Sequence, residues 1–439
     1  MATPRELALK ILYDIEKNGA WLNISFKNHT ESAGIDGRDA ALVKELTYGV
    51  VQYKLTLDYV IARFSSVKLK KLAPFVLCIL RLGLYQLYFM DKIPESAAVN
   101  ESVKLAGRYA GKSRGFINAI LRKAAGSPLN LPEGQGAEAL SVRYSHPVSL
   151  VNWLVETFGA ERAEEILAEN QQATALCIRT NTYKITKEEL FARLSGEGVS
   201  VTPGRLAEGS FLIESGAVQT LSSYKEGLFT LQDQSAQLAA LALSPKPGET
   251  VFDVCAAPGG KTTHLAELME NKGEILALDV YAKRLLSVTE TASRLGLSII
   301  KTREADASSF NFPKQADKIL IDAPCSGLGV IRRRPDIKYK PQLTDFSELV
   351  LIQSKILDHC AEFLKPGGEL VYSTCTINPE ENKKQVMAFL EKRPEFELMA
   401  IASPCILGDA KVTLEKGMGT FYPTKDGGDG FFIAKLRRR

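Results

Sequence analysis

The chain has 439 residues, 45% hydrophobic and 24% charged, ordinary for folded soluble protein and too long for one compact core. Its formal net charge of +4 is uneven: residues 1–130 hold 19 Lys and Arg against 11 Asp and Glu, a net of +8, which leaves the remainder at −4. Seven scattered cysteines without a Cys-x-x-Cys pair, and four histidines without ligand spacing, argue against a disulfide framework or metal site and fit a reducing cytoplasm.

Residues 1–20 form a charged amphipathic stretch without the apolar core of a secretion signal. Apolar residues recur at helical spacing (Leu7, Leu9, Ile11, Leu12 and Ile15, then Leu42, Val43, Leu46 and Val50), and residues 4–125 read almost wholly as helix. Segment 72–90 is the most membrane-like, but Pro74, Arg81 and Gln86 interrupt it, so a buried helix is expected and no membrane partner. The Pro- and Gly-rich residues 126–136 read as a linker. Helices near 147–158 and 162–171 follow. A strand at 175–179, a helix at 187–194 and a strand near 211–213 then suggest a small α+β module.

From about Gln232, strands alternate with helices, the pattern of a parallel sheet. Strands are expected at 250–254, 274–278, 298–300, 318–321 and 369–372, with helices at 262–269, 282–295 and 343–364. A last helix, 380–392, precedes a strand pair at 396–401 and 431–436. The expected domains are thus an all-α one (1–130), a linker with an α+β module (131–231), and an α/β, Rossmann-like one (232–439). The basic first domain suits a polyanionic partner, although charge alone fits a merely basic helical domain equally well. No long apolar stripe is left unassigned, so a monomer is expected.

In an open parallel sheet, ligands bind at the carboxyl ends of the strands, and Asp253, Asp279, Asp306 and Asp322 all fall there. The first strand leads into Cys255-Ala256-Ala257-Pro258-Gly259-Gly260-Lys261, a loop of small residues that lets a ligand approach the backbone. A P-loop would need Gly where Cys255 stands, and a dinucleotide fingerprint would need Gly-x-Gly-x-x-Gly; neither is met. S-adenosylmethionine carries no phosphate and needs ribose, adenine and amino-acid contacts, which this layout supplies. Asp279 is placed for the ribose hydroxyls and Asp306 for the adenine amine.

Asp322-Ala323-Pro324-Cys325-Ser326-Gly327 follows the fourth strand and Ser373-Thr374-Cys375-Thr376 the fifth, which puts both cysteines at the same sheet edge. Carbon 5 of cytosine is a poor nucleophile. A thiolate adding to carbon 6 makes the ring an enamine and places electron density on carbon 5. A base must later remove the carbon 5 proton, and a carboxyl group near ring nitrogen 3 stabilises the addition. Cys375, Cys325 and Asp322 are available for these parts, and spacing leaves open which cysteine attacks.

These motifs resemble the RsmB (Sun/Fmu) family of bacterial 16S ribosomal RNA cytosine-5 methyltransferases. The resemblance spans nearly the whole chain, including Gln232-Asp233, residues 253–262, 322–327, 332–339, 373–376 and 429–434. It implies that Cys375 attacks the base and that Cys325 assists release. It also implies S-adenosylmethionine contacts along residues 255–261 and at Asp279, Asp306 and Asp322. Ala98-Val99-Asn100-Glu101-Ser102-Val103 and residues 116–122 resemble the NusB-type helical RNA-binding domain. RNA, as 16S ribosomal RNA or a partly assembled small subunit, with the target cytosine out of its stack, is the partner implied, and DNA is not. Arg332, Arg333 and Arg334 are more basic than expected for their loop and are candidate phosphate contacts. Two other readings are a substrate that is transfer RNA or another RNA, and a NusB-like RNA-binding factor with a vestigial catalytic half. The intact cysteines, Asp322 and glycine loop argue against the latter.

Overall fold

A computed structural model of the chain describes residues 2–35, 37–213, 218–340, 345–424 and 428–439. It packs as two compact units, Met1–Gln171 with Ile331–Thr344, and Gln172–Val330 with Asp345–Arg439.

The first unit is helical. Its opening helix, Pro4–Asn18, starts where the Thr3 hydroxyl accepts from the Glu6 amide and stops at Gly19, whose φ of 65° suits a residue without Cβ. Leu9, Ile11, Leu46, Ile79, Leu80 and Leu121 meet in one apolar core. The membrane-like segment is the buried helix Pro74–Phe89. Its interrupting Arg81 is buried but paired, donating to Asp58 at 2.7 and 2.8 Å and to Glu16 at 2.8 Å. Among the described residues no helix is long and apolar enough to cross a membrane.

This unit continues past the predicted linker through the helices Ala137–Arg143, Val148–Phe158 and Ala160–Glu169. It also takes in residues 331–340 from far along the chain. There the Leu22 amide donates to Asp336 (3.1 Å), the Lys338 amine to the Gln52 carbonyl (2.8 Å) and the Tyr339 hydroxyl to the Ser145 carbonyl (3.1 Å). Arg332 and Lys338 are buried and Arg334 is exposed, so a phosphate contact is open to Arg334 and not to Arg332.

The second unit carries two sheets. Strands β1 (Leu176–Thr180), β2 (Val201–Pro203), β3 (Ser210–Ile213) and β4 (Phe229–Leu231) form an antiparallel sheet in the order β2-β3-β1-β4. The larger sheet contains β5 (Thr250–Asp253), β6 (Glu274–Asp279), β7 (Ile300–Glu304), β8 (Ala316–Asp322), β9 (Leu364–Thr374), β10 (Phe396–Leu398), β11 (Met418–Phe421) and β12 (Phe431–Arg438). Its order is β10-β12-β9-β8-β5-β6-β7, with β11 paired to β12. Strands β5 to β9 run parallel, and β12 lies antiparallel against β9. The helices Gly260–Leu268, Ala282–Leu295 and Ser347–Glu362 connect them; residues 343 and 344 of the helix predicted at 343–364 lie outside the described residues.

Candidate active site

Chain order in the large sheet reverses at β5: β6 and β7 extend to one side, β8 and β9 to the other. Such a reversal opens a crevice beyond the carboxyl ends of the flanking strands, here β5 and β8. The loops leaving those two ends are residues 254–259 and 323–330.

The first loop is held from below. Thr262 donates its hydroxyl to Asp253 at 2.7 Å, and burial pushes the Asp253 carboxyl up to about 7. Gly259 has a φ of +105°, and a Cβ there would lie 2.9 Å from the Cα of Val288. The Gly260 carbonyl accepts from the buried Arg179 at 2.7 Å. Arg179 also donates to Glu267 (2.7 and 3.0 Å) and Thr263 (3.2 Å), and bonds Gln232. A residue of the small sheet thereby fixes the loop of the large one. Burial holds the Cys255 thiol well above its usual range.

Asp279 ends β6, is 5% exposed and caps the Tyr281 amide at 3.0 Å. Arg284, which sequence reasoning missed, pairs with it at 3.3 Å and donates to the Ala257 carbonyl at 3.0 Å. Asp306 is exposed beyond β7, and one of its oxygens accepts the Ser308 amide (2.8 Å) and hydroxyl (2.7 Å).

The strand register Asp322↔Ser373 brings the two cysteine loops side by side. The Ala323 amide donates to Ser373 (2.9 Å) and the Gly329 amide to Cys375 (3.0 Å). The Cys325 and Cys375 sulfurs then lie 3.3 Å apart. The hydrogen bond to Cys375 and then burial hold the Cys325 thiol well above the usual cysteine range. Asp322 accepts from Lys261 at 2.6 Å and from the Ser373 hydroxyl at 2.9 Å. Burial works to lower the Lys261 pKa, but Asp322 beside it leaves it above the usual range. The ammonium also lies 4.9 Å from the Phe431 ring centre.

An open sheet with this reversal, a glycine-bearing first loop and two thiols at its crevice defines a Rossmann-like methyltransferase domain. Comparison with known proteins agrees. Residues 240–437 match the family model described as 16S rRNA methyltransferase RsmB/F, residues 2–126 the NusB family, and residues 146–219 an RsmF/B-like ferredoxin-like domain. The probable ribosomal RNA small subunit methyltransferase B of Bacillus subtilis (strain 168) is 37% identical over 99% of this chain and 98% of its own. The crystal structure of PH0851 matches with a TM-score of 0.82 at 28% identity, covering 100% of this chain and 99% of that one. The crystal structure of NSun6 from Pyrococcus horikoshii with SFG matches with a TM-score of 0.60 at 26% identity, covering 66% of this chain and 98% of that one. The chain belongs to the ribosomal RNA small subunit methyltransferase B family.

Proposed function

We propose that the chain methylates carbon 5 of a cytosine in 16S ribosomal RNA, with Cys375 as nucleophile and Cys325 as the residue that resolves the adduct. The observation that carries this reading is the 3.3 Å separation of the two thiols at the crevice. Two sulfurs so close can serve adjacent atoms of one ring, as addition at carbon 6 and proton removal at carbon 5 require.

S-adenosylmethionine suits the crevice. Gly259 and Gly260 leave room for close approach, Asp279 sits at the end of β6 for a ribose, and Asp306 beyond β7 for an adenine. Residues 255–261 and Asp322 would line the rest. When bound, it supplies an electrophilic methyl group.

Cys375, as thiolate, forms a bond to carbon 6 of a cytosine flipped into the crevice. Asp322, hydrogen-bonded to the Lys261 ammonium, faces ring nitrogen 3, and a proton passed from Lys261 through Asp322 to that nitrogen neutralises the negative charge that addition creates and returns when the adduct is released. After carbon 5 is methylated, Cys325, having released its own proton to solvent, takes the remaining carbon 5 proton as a thiolate. The carbon–hydrogen electrons restore the ring double bond, and the bond to Cys375 breaks. The names of the relatives support ribosomal RNA over transfer RNA.

The test is a denaturing gel of Cys325→Ala after incubation with unmodified 16S RNA and S-adenosylmethionine. A covalent RNA adduct that vanishes when Cys375 is also replaced is expected. No adduct, while the wild type methylates the same RNA, would overturn the assignment of the cysteines.

A further inference from the structure

Beside the two thiols lies a buried carboxylate that the reaction above does not use. Glu381 is 0% exposed and follows Cys375 by one short loop. One of its oxygens accepts from the Ser326 hydroxyl at 2.5 Å and from the Asn378 side-chain amide at 3.0 Å. The other accepts from the Ser326 backbone amide at 2.9 Å and from Gln353 at 2.9 Å. Gln353, on the helix Ser347–Glu362, also donates to the Pro324 carbonyl at 2.9 Å. The Glu381 backbone is fixed in turn, its carbonyl accepting from the Tyr372 hydroxyl at 2.8 Å.

These partners are not scattered. Ser326 follows Cys325 directly and Thr376 follows Cys375 directly, and the Ser326 and Thr376 hydroxyls meet at 2.7 Å. One carboxylate thus takes four donors, two of them from the residue next to the first thiol and one from the loop of the second. An ionised carboxylate only accepts, so it holds four donors at once without an internal conflict. A carboxylate with no exposed surface is costly to bury unless its hydrogen bonds are complete, and these are.

We infer that Glu381 is a positioning residue that sets the distance between Cys325 and Cys375 and thereby the rate at which the RNA adduct is released. The inference rests on the two-cysteine reading above. Release requires Cys325 to reach the carbon 5 proton while Cys375 is bonded to the neighbouring carbon, which leaves little freedom to the loop carrying Cys325. Without the staple, Ser326 loses the acceptor for both its amide and its hydroxyl, and Cys325 moves with it.

The test is Glu381→Gln, which keeps size and shape but turns one oxygen into a donor. Facing the Ser326 amide and Gln353, that donor meets two others; facing Ser326 and Asn378, it meets at least the Asn378 amide. Turnover is expected to fall about tenfold to a hundredfold, the scale of a displacement of roughly 1 Å in a catalytic group. S-adenosylmethionine affinity should stay within about twofold, because none of the cofactor residues is touched. The decisive readout is adduct. Glu381→Gln should trap RNA on a denaturing gel with both cysteines present, and the trapped band should disappear in the Glu381→Gln, Cys375→Ala double variant. A general loss of structure would not accumulate adduct.

Cys325→Ala is run beside it. If Cys325→Ala traps RNA and Glu381→Gln neither traps it nor slows turnover, the positioning role is overturned and the cysteine assignment stands. Slowed turnover without trapping would also overturn it. If Cys325→Ala fails to trap RNA that the wild type methylates, the underlying reading falls, and this inference with it. Should Glu381→Gln lose cofactor binding through misfolding, Ser326→Ala removes only the hydroxyl link and is expected to act in the same direction, more weakly. Wild-type behaviour of Ser326→Ala would then overturn the inference.

Discussion

Replacing Arg179 by Met tests how the small sheet supports the cofactor loop. Arg179 and Glu267 are each 2% exposed and meet through two bonds, 2.7 and 3.0 Å. Removing the guanidinium leaves Glu267 buried without its counter-charge, a change that costs about 3–5 kcal/mol in comparable pairs. The magnitude can be bounded separately. Burial already raises the Glu267 carboxyl above its ordinary 4.5, and without Arg179 it would rise further and stay protonated in the folded state. The unfolded chain ionises freely, so at about pH 7.5 keeping the proton costs at most ~4 kcal/mol, and at about pH 5.5 ~1.4 kcal/mol. The sign follows from the direction of the shift. A carboxyl whose folded pKa is raised binds more protons when folded, so its contribution is retained below the unfolded value and lost as pH rises. The deficit of Arg179→Met should therefore grow by up to about 3 kcal/mol from pH 5.5 to 7.5.

The assay must report on the second unit. Both tryptophans, Trp21 and Trp153, lie in the first, so indole fluorescence is blind to the change. Amide hydrogen exchange of β5 and β6, with and without S-adenosylmethionine, reads the right unit. The double variant Arg179→Met, Glu267→Leu should recover much of the loss, since it leaves no charge behind. A loss under about 1 kcal/mol at pH 7.5, or a double variant less stable than the single one, would refute the reasoning.

Two further predictions follow from the described geometry. Gly259→Ala should destabilise the second unit by about 2 kcal/mol or more, because it pairs a strained positive φ with a Cβ 2.9 Å from Val288, and should weaken S-adenosylmethionine binding in calorimetry. Lys338→Met should stabilise the first unit by about 1–3 kcal/mol near neutral pH, since burial holds the Lys338 amine well below its usual range while the unfolded chain takes up a proton freely. A basic group with a lowered folded pKa gains stability as pH rises, so the advantage of Met should shrink toward pH 10; tryptophan fluorescence reads it directly.

Much of this architecture was legible in the residues, and the parts that were not share a cause. Alternation of strand and helix from Gln232 onward marked the large sheet, because buried parallel strands are written as local apolar runs. The cysteine loops were legible because their chemistry is carried by residue type. The short strands β2, β4 and β11 were not, since three or four residues paired to distant partners leave little local pattern. Residues 332–340 read as a basic loop, yet Arg332, Ile337 and Lys338 are buried in the helical unit. Tertiary partners there override what charge suggests. Glu381 read as one more acid in the first turn of the helix expected at 380–392, whereas it precedes the helix Lys383–Lys392, and only the register of β8 with β9 shows what it receives. Arg284 at Asp279 was hidden likewise, as a helix residue with an ordinary charge.

The placement of residues 331–340 has a consequence for how the chain matures on the ribosome. The helices up to Gln171 emerge first, but the segment that supplies Asp336, Lys338 and Tyr339 to them is made about 170 residues later. At about 5–20 residues per second, the helical unit waits roughly 10–35 s with the seat for Ile337 and Tyr339 uncovered. A nascent chain stopped between the two points carries an unfinished first unit, so the protein cannot be built as one folded half followed by another.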